Sequence, residues 1–427
     1  MSRTCSRSNR SRLSKGAPVT AAFARLVILL CAAATATAAA QSSSVPDVLA
    51  RLPPASGRAA ILVDGSAAAA DATAATWDGA VAVAEWLIAR LPADAEYQVI
   101  VFADQARALQ APSGTWFVRG SEADTNEVSR ALRANVPPVG QPNLAAAFSA
   151  AAALVPKVER IYLVAAAAPG RELPEARRSS LFANAMKSLP KATPVDTLLL
   201  PSVNGDEVTR FWFASLRTRG SMLALPTDRR GRASAESGPR FEAAHAVFVV
   251  DTSGSMVQLA WERVQRVVRE VITRSASLED FLIINDEGRA LEAAPTWTAV
   301  SPAAVEKVAG ALARWQAHSG SAPTGGILRA VELARSVGPT TIYVLGDDLA
   351  VSVPKPRRVE WSLDRSREEL LDVLNRDEVR GNIIVSTIAF PTIYEATGEL
   401  YTAAGFAALQ YELAVRTGGF FVGLPAR

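Results

Sequence analysis

The chain has 427 residues, of which 45 are Lys or Arg, 42 are Asp or Glu, two are Cys and two are His. So few Cys and His residues exclude disulfide scaffolds and zinc sites built from four Cys or His ligands. The length predicts two or three domains, and an apolar content of 49% is typical of globular proteins.

The first 40 residues have the organisation of a secretory signal peptide. They contain six basic residues and no acidic ones, then an apolar run at 26–34 and the small residues at 38–40. The apolar run is too short to cross a bilayer comfortably, so we expect cleavage near Ala40, no remaining transmembrane anchor, and a secreted or periplasmic protein. Cleavage would remove both cysteines and change the formal net charge from +3 to −3, which argues against nucleic acid as a partner. The Ala- and Arg-rich composition and the cysteine-free mature chain indicate a bacterial protein.

Residues 41–57 are polar and contain prolines, which indicates a linker. Beyond them, short apolar runs alternate with stretches such as 77–91 and 261–275, where apolar residues recur with helical spacing. We predict eight strands, at 59–63, 98–102, 161–164, 195–200, 246–250, 281–284, 341–345 and 383–390. This alternation predicts an α/β protein with doubly wound, mostly parallel sheets that have helices on both faces.

The order of these motifs occurs twice along the chain. Three pairs of matching segments are ILVDGSAA (61–68) and VFVVDTSGS (247–255), RIYLV (160–164) and TIYVL (341–345), and LRTRGSMLALP (216–226) and VRTGGFFVGLP (415–425). We therefore predict two copies of one domain, at 58–226 and 241–427, joined by a charged linker at 227–240.

The second copy contains oxygen-bearing side chains directly after two predicted strands. The strand at 246–250 leads into the sequence DTSGS (251–255), and the strand at 341–345 leads into Gly346 and Asp347. The carboxyl ends of parallel strands form the usual ligand-binding edge of an α/β sheet, and hard cations such as Mg²⁺ prefer oxygen ligands. A simpler interpretation is that these residues only cap the helix that follows, because Asp and Ser are favoured N-caps.

Asp-x-Ser-x-Ser after an apolar strand, a glycine-rich turn before a helix, and an apolar strand that ends in Asp resemble the von Willebrand factor A (vWA) domain and its metal-ion-dependent adhesion site. The resemblance covers nearly all of 243–425. It implies that Ser253 and Ser255 bind a divalent cation (Mg²⁺, or Mn²⁺ or Ca²⁺) directly, while Asp251 and Asp347 hold it mainly through water. The remaining coordination position would take an acidic residue of a partner protein.

One element departs from the family's pattern. The family's turn often reads GGTPTG, whereas this chain has GSAPTG at 320–325, with Ala322 in the place of the metal-binding Thr. The resemblance then leaves Ser321 or Thr324 to supply the hydroxyl.

The first copy retains only part of this pattern. Its sequence DGSAA (64–68) keeps Asp64 and Ser66 but lacks the second Ser, and Pro142 stands in the place of the turn Thr. The strand at 161–164 ends in four alanines and no acid. Two oxygens without a second carboxylate make a poor Mg²⁺ site, so we interpret the first copy as a degenerate scaffold.

These patterns favour a non-enzymatic exported protein that binds another protein through its second copy in a cation-dependent manner. Two alternatives stay open: a periplasmic solute-binding protein with two α/β lobes, and a metal-free scaffold of an envelope complex. An aspartic protease with Asp64 and Asp251 is disfavoured, because Ser253 interrupts the Asp-Thr-Gly triplet and such enzymes are nearly all β. A Ser-His-Asp hydrolase is also disfavoured, because only His245 and His318 could serve as its base. A nucleotide P-loop is disfavoured because the glycine-rich turn lacks the phosphate-binding Lys.

Overall fold

The computed structural model describes residues 57–67, 77–112, 114–134, 140–190, 192–200, 205–225, 243–275, 277–315, 326–347, 383–398 and 400–426. All of them belong to one unit, Ser44–Arg427. The predicted signal peptide and the linker at 227–240 lie outside the described residues, as does the linker at 41–57 except for its last residue.

Strands and helices alternate through the described part of the chain. The first half contains β1 (Arg58–Asp64), α1 (Trp77–Arg90), β2 (Glu96–Phe102), β3 (Ala106–Ala108), β4 (Phe117–Val118), α2 (Glu122–Ala134), α3 (Leu144–Ala152), β5 (Arg160–Ala165), α4 (Glu175–Lys187), β6 (Val195–Leu199), α5 (Gly205–Thr218) and β7 (Met222–Ala224). The second half contains β8 (His245–Val250), α6 (Gly254–Leu259), α7 (Trp261–Arg274), β9 (Asp280–Asn285), β10 (Thr298–Ala299), α8 (Pro302–Arg314), α9 (Gly326–Ser336), β11 (Thr341–Gly346), β12 (Ile384–Ala389), α10 (Thr392–Thr397), α11 (Leu400–Arg416) and β13 (Phe421–Gly423). Each of the eight predicted strands forms, within two residues of its predicted ends.

The strands join in one large, mostly parallel sheet, which confirms the predicted α/β class. Its strand order is β10-β9-β8-β11-β12-β13-β7-β6-β5-β1-β2-β3, and β4 also pairs with β2. The central pairs within each half are parallel, whereas the short strands β3, β4 and β10 pair antiparallel at the margins. None of the helices among the described residues is long and apolar enough to cross a membrane.

Both faces of the sheet are buried under helices. Along β1, Ala59, Ile61 and Val63 belong to one hydrophobic cluster, while Ala60 and Leu62 belong to another. Side chains alternate between the faces of a strand, so a strand that is apolar at every position is covered on both sides. This explains why the sequence shows continuous apolar runs rather than alternation.

The two halves match in detail at their first long helices. Trp77 begins α1 and donates from Nε1 to the carbonyl of Leu132 in α2 at 3.2 Å. Trp261 begins α7 and donates from Nε1 to the carbonyl of Leu312 in α8 at 2.9 Å. A buried indole N–H requires an acceptor, and both halves provide it from the corresponding helix.

The two halves meet through β7 and β13, which correspond to each other in the sequence repeat. These strands pair antiparallel, with Leu223 opposite Val422, Met222 opposite Gly423 and Ala224 opposite Phe421. Since β7 is parallel to β6 and β13 is parallel to β12, this junction reverses strand direction. The carboxyl ends of the parallel strands therefore lie at opposite edges of the sheet in the two halves.

A glycine precedes each of these junction strands, with a backbone carbonyl in contact. A Cβ on Gly220 would lie 1.9 Å from the carbonyl oxygen of Val195, and a Cβ on Gly419 would lie 2.0 Å from that of Val385. Any side chain at either position would push a junction strand away from its neighbour.

Candidate metal centre

Asp251 and Asp347 lie at the carboxyl ends of neighbouring parallel strands. Val250 at the end of β8 pairs with Leu345 in β11, and the backbone N–H of Asp251 donates to the Leu345 carbonyl at 2.9 Å. Asp251 is 2% exposed and Asp347 is 3% exposed. The structure therefore places both predicted carboxylates at one edge of the sheet, where α/β proteins bind ligands.

Ser253, the N-cap of α6, and Ser255, in the first turn of that helix, place two hydroxyl groups just beyond the end of β8. The backbone N–H of Ser253 donates to Asp251 Oδ1 at 2.8 Å, and the two Ser Oγ atoms lie 3.1 Å apart. Adjacent ligands of an octahedral Mg²⁺ ion are about 3 Å apart, because each lies about 2.1 Å from the metal. The separation of the two hydroxyls is compatible with their binding one cation.

Ser253 does not cap α6 through its side chain, as the simpler helix-capping interpretation would require. This residue occupies the N-cap position of α6, yet its side chain makes no capping hydrogen bond to the described helix. Its hydroxyl is hydrogen-bonded to that of Ser255 instead.

Asp347 supplies the observation that tests whether a cation fits here. Its Oδ2 accepts a hydrogen bond from the hydroxyl of Thr392, whereas its buried Oδ1 accepts none from any described residue. Burying a charged oxygen without a donor or a cation is costly. The donor set of carboxylates and hydroxyls suits a hard divalent cation.

Two further predicted ligands come from the glycine-rich turn before α9. Ser321, Ala322 and Thr324 lie outside the described residues. Within the ranges given above, no group of three or more His, Cys, Asp and Glu side chains is arranged to hold a metal ion. A cation at this edge would therefore depend on the serine hydroxyls as well as on the two carboxylates.

In the first half, Asp64 and Ser66 occupy the positions that correspond to Asp251 and Ser253, and both are fully buried. Asp64 Oδ1 accepts the backbone N–H of Ser66 at 2.9 Å, and Oδ2 accepts those of Ala166 and Ala167 at 2.9 and 3.3 Å. Burial raises the pKa of the Asp64 carboxyl, and the hydrogen bonds from Ser66 and the two alanine amides oppose this effect. Backbone amides at the end of β5 thus occupy the side of Asp64 that faces the neighbouring strand.

We expect Asp64→Asn to lower the free energy of unfolding by about 2 kcal/mol, because an amide NH₂ would face one of these backbone N–H donors and leave it unpaired. Urea denaturation at pH 7 measures the change. Asp280→Asn is the matched control: the Asp280 side chain is partly exposed, so we expect a change within about 0.5 kcal/mol. Equal stability of Asp64→Asn and wild type would show that the amides do not require two acceptor oxygens.

No protein-family model matches the chain, and no curated protein matches it. Among solved structures, proximal thread matrix protein 1 from the mussel byssus, also solved with a zinc-occupied MIDAS motif, aligns with 87% of this chain and 92% of its own, at 10% identity and a TM-score of 0.27. A von Willebrand factor type A protein from Catenulispora acidiphila aligns with 52% of this chain and 43% of its own, at 10% identity and a TM-score of 0.32. An aerotolerance-related membrane protein from Bacteroides fragilis aligns with 34% of this chain and 67% of its own, at 17% identity and a TM-score of 0.25.

His245 lies away from the candidate centre, at the amino end of β8. Its Nδ1 is 2.8 Å from Asp280 Oδ1, and this hydrogen bond and the negative charge of Asp280 raise the pKa of the imidazole. Because Asp251 and Ser253 lie beyond the opposite end of the same strand, His245 is not placed to act on them as a base. His318 lies outside the described residues.

Sequence reasoning missed two further residues that shape this edge of the sheet. Asp286 is buried, and its Oδ1 accepts both the backbone N–H and the hydroxyl of Thr252, at 3.0 and 2.7 Å. Its position two residues after the predicted strand at 281–284 is the signal that could have revealed it. Thr392, the partner of Asp347, follows the strand β12, and no motif in the sequence marks it.

Proposed function

We propose that this chain is an exported vWA-like protein whose second half binds a divalent cation and, through it, an acidic residue of a partner protein. The observation that carries the proposal is the grouping of Asp251, Ser253, Ser255 and Asp347 at the ends of two adjacent parallel strands, with a buried Asp347 oxygen that no described residue satisfies. When bound, the cation would supply an open coordination position for the partner's carboxylate. No enzymatic step is part of this function.

The proposal assigns each ligand its role. Ser253 and Ser255 contact the cation directly, and Asp251 and Asp347 hold it mainly through water. Ser321 or Thr324 supplies the hydroxyl that Ala322 lacks. Mg²⁺ is the first choice of cation, with Mn²⁺ and Ca²⁺ as alternatives, because all of these donors are oxygens.

The first half, at 58–226, is proposed to be a degenerate copy that serves as a scaffold for the second, at 241–427. The matching hydrogen bonds of Trp77 and Trp261 support a duplication. The amides of Ala166 and Ala167 on Asp64, together with the absence of an acid after β5, support the loss of cation binding in this half.

The geometry favours this proposal over a solute-binding protein. In that class, a ligand lies in a cleft between two lobes, with both lobes contributing to it. Here the halves share one sheet, and the antiparallel pairing of β7 with β13 sends their carboxyl edges in opposite directions. The two edges therefore cannot line a common cleft.

Isothermal titration of the purified protein with Mg²⁺ and with Mn²⁺ tests the proposed function. We expect saturable binding of one ion per chain that EDTA abolishes. If neither cation binds, the metal-free scaffold replaces this proposal. If a cation binds, capture from an envelope extract should retain a partner in its presence and release that partner when EDTA is added.

A further inference from the structure

The carboxyl group of Asp347 is held on one side only. The hydroxyl of Thr392 donates to Oδ2, and Oδ1 is buried without a hydrogen bond from the described residues. Asp347 is 3% exposed and Thr392 is fully buried, so bulk water cannot replace the hydroxyl. The contact with Thr392 therefore decides which oxygen of Asp347 remains available.

Thr392 is itself held in place by its surroundings. It is the first residue of α10, and Phe390, two residues before it, donates its backbone N–H to the Gly346 carbonyl of β11 at 3.1 Å. Further along α10, Glu395 forms an ion pair with Arg263 of α7 at 2.9 Å, and Arg263 also donates to the carbonyl of Pro425 at 2.7 Å. The hydroxyl thus belongs to a segment that is held by contacts before and after Thr392 in the chain.

The backbone next to Asp347 is fixed independently of Thr392. Gln410 of α11 is fully buried and donates from Nε2 to the Gly346 carbonyl at 3.2 Å. The carbonyl of Gln410 in turn accepts the hydroxyl of Thr387 at 3.0 Å. With the main chain held, the torsions of the Asp347 side chain are the freedom that remains, and Thr392 limits them.

We propose that Thr392 is a positioning residue of the cation site: its hydroxyl holds one oxygen of Asp347, so that the other stays directed to the cation or to a water bound to it. This inference rests on the function proposed above. Carboxylates at metal sites are commonly oriented by such hydrogen bonds, and removing the partner typically costs 10–100-fold in metal affinity. Neither the Asp-x-Ser-x-Ser motif nor the strand that ends in Asp347 includes Thr392.

Isothermal titration with Mn²⁺ on Thr392→Val, Thr392→Ser and wild type tests the inference. Valine keeps the volume of threonine and lacks the hydroxyl, so we expect its dissociation constant to rise about 10–100-fold. Serine keeps the hydroxyl and should bind close to wild type. Thr392→Ala provides the same comparison as valine should the valine variant fail to fold, and circular dichroism establishes folding for each variant.

Thr197→Val is the matched control, because Thr197 is a fully buried threonine of the first half whose Oγ1 lies 3.0 Å from Ser215 Oγ. It should lower stability in urea without changing Mn²⁺ affinity. Unchanged affinity in Thr392→Val, or serine as weak as valine, would overturn the positioning role while leaving the proposed function intact. An absence of Mn²⁺ binding in wild type would overturn both.

Discussion

Asp251→Ala is expected to weaken Mg²⁺ and Mn²⁺ binding about 100-fold, a loss at the upper end of the range for a removed outer partner of a metal. Asp251 both contributes negative charge at the edge of the sheet and accepts the backbone N–H of Ser253 at 2.8 Å. Removing its carboxylate therefore takes away the proposed water-mediated contact to the cation and loosens the turn at Ser253, where α6 begins. Isothermal titration of the variant beside wild type measures the loss.

Two further variants separate a metal effect from a folding effect. Asp280→Ala makes the same substitution at the other end of the strands of this half, where Asp280 pairs with His245, and should leave cation affinity unchanged. Ser255 is half-buried, and Ser255→Ala removes its hydroxyl together with the hydrogen bond to Ser253, so its stability should stay within about 1 kcal/mol of wild type while the affinity falls. Wild-type affinity in both Asp251→Ala and Ser255→Ala would place any observed cation at another site.

Gly419→Ala and Gly220→Ala are each expected to lower the free energy of unfolding by about 3 kcal/mol, the upper part of the usual range for overpacking. In both, the new Cβ would meet a backbone carbonyl at about half the normal contact distance, 2.0 Å from Val385 and 1.9 Å from Val195. A main-chain atom cannot rotate away as a side chain can, so a junction strand must move. Urea denaturation measures both changes.

The control for this pair is Gly310→Ala in the helix α8. The nearest atom to its new Cβ is the end of the Arg314 side chain at 3.5 Å, and alanine is favoured over glycine inside helices by up to about 1 kcal/mol. This variant should be at least as stable as wild type. If Gly419→Ala were equally stable, the close packing of the junction strands would have to be less strict than their geometry indicates.

The placement of the two carboxylates at one edge of the sheet could be predicted from the sequence because each follows a buried strand. The run 246–250 is apolar throughout and the run 341–345 is apolar after Thr341, as expected for parallel strands buried on both faces. Asp251 follows the first run directly and Asp347 follows the second after Gly346, and parallel strands bring such ends together. Asp251 and Asp347 could therefore be assigned to one edge without any knowledge of side-chain contacts.

The partners of these residues could not be predicted, because they come from distant segments through tertiary packing. The contact between Thr392 and Asp347 spans 45 residues, and that between Thr252 and Asp286 spans 34. The donors on Asp64 are backbone amides of Ala166 and Ala167, which no side-chain pattern reveals. The sequence shows alanines rather than an acid after β5, and the structure shows that backbone amides of these alanines contact Asp64.

The junction was also beyond the sequence pattern. The repeat predicted two α/β copies, but β7 and β13 have three residues each, too few to show a periodicity. Their pairing follows from the match of two tertiary surfaces. The predicted strands were therefore compatible with one sheet across both halves, but they did not specify it.

The antiparallel contact of β7 with β13 also bears on solubility. A sheet that ends in a flat, apolar strand exposes unpaired N–H and C=O groups that can pair with another chain. Met222, Leu223 and Val422 are fully buried, and either half without the other would present such an edge. Each half therefore covers the apolar strand at which the other would be open to pairing with another chain, and the first half does so whether or not it binds a ligand.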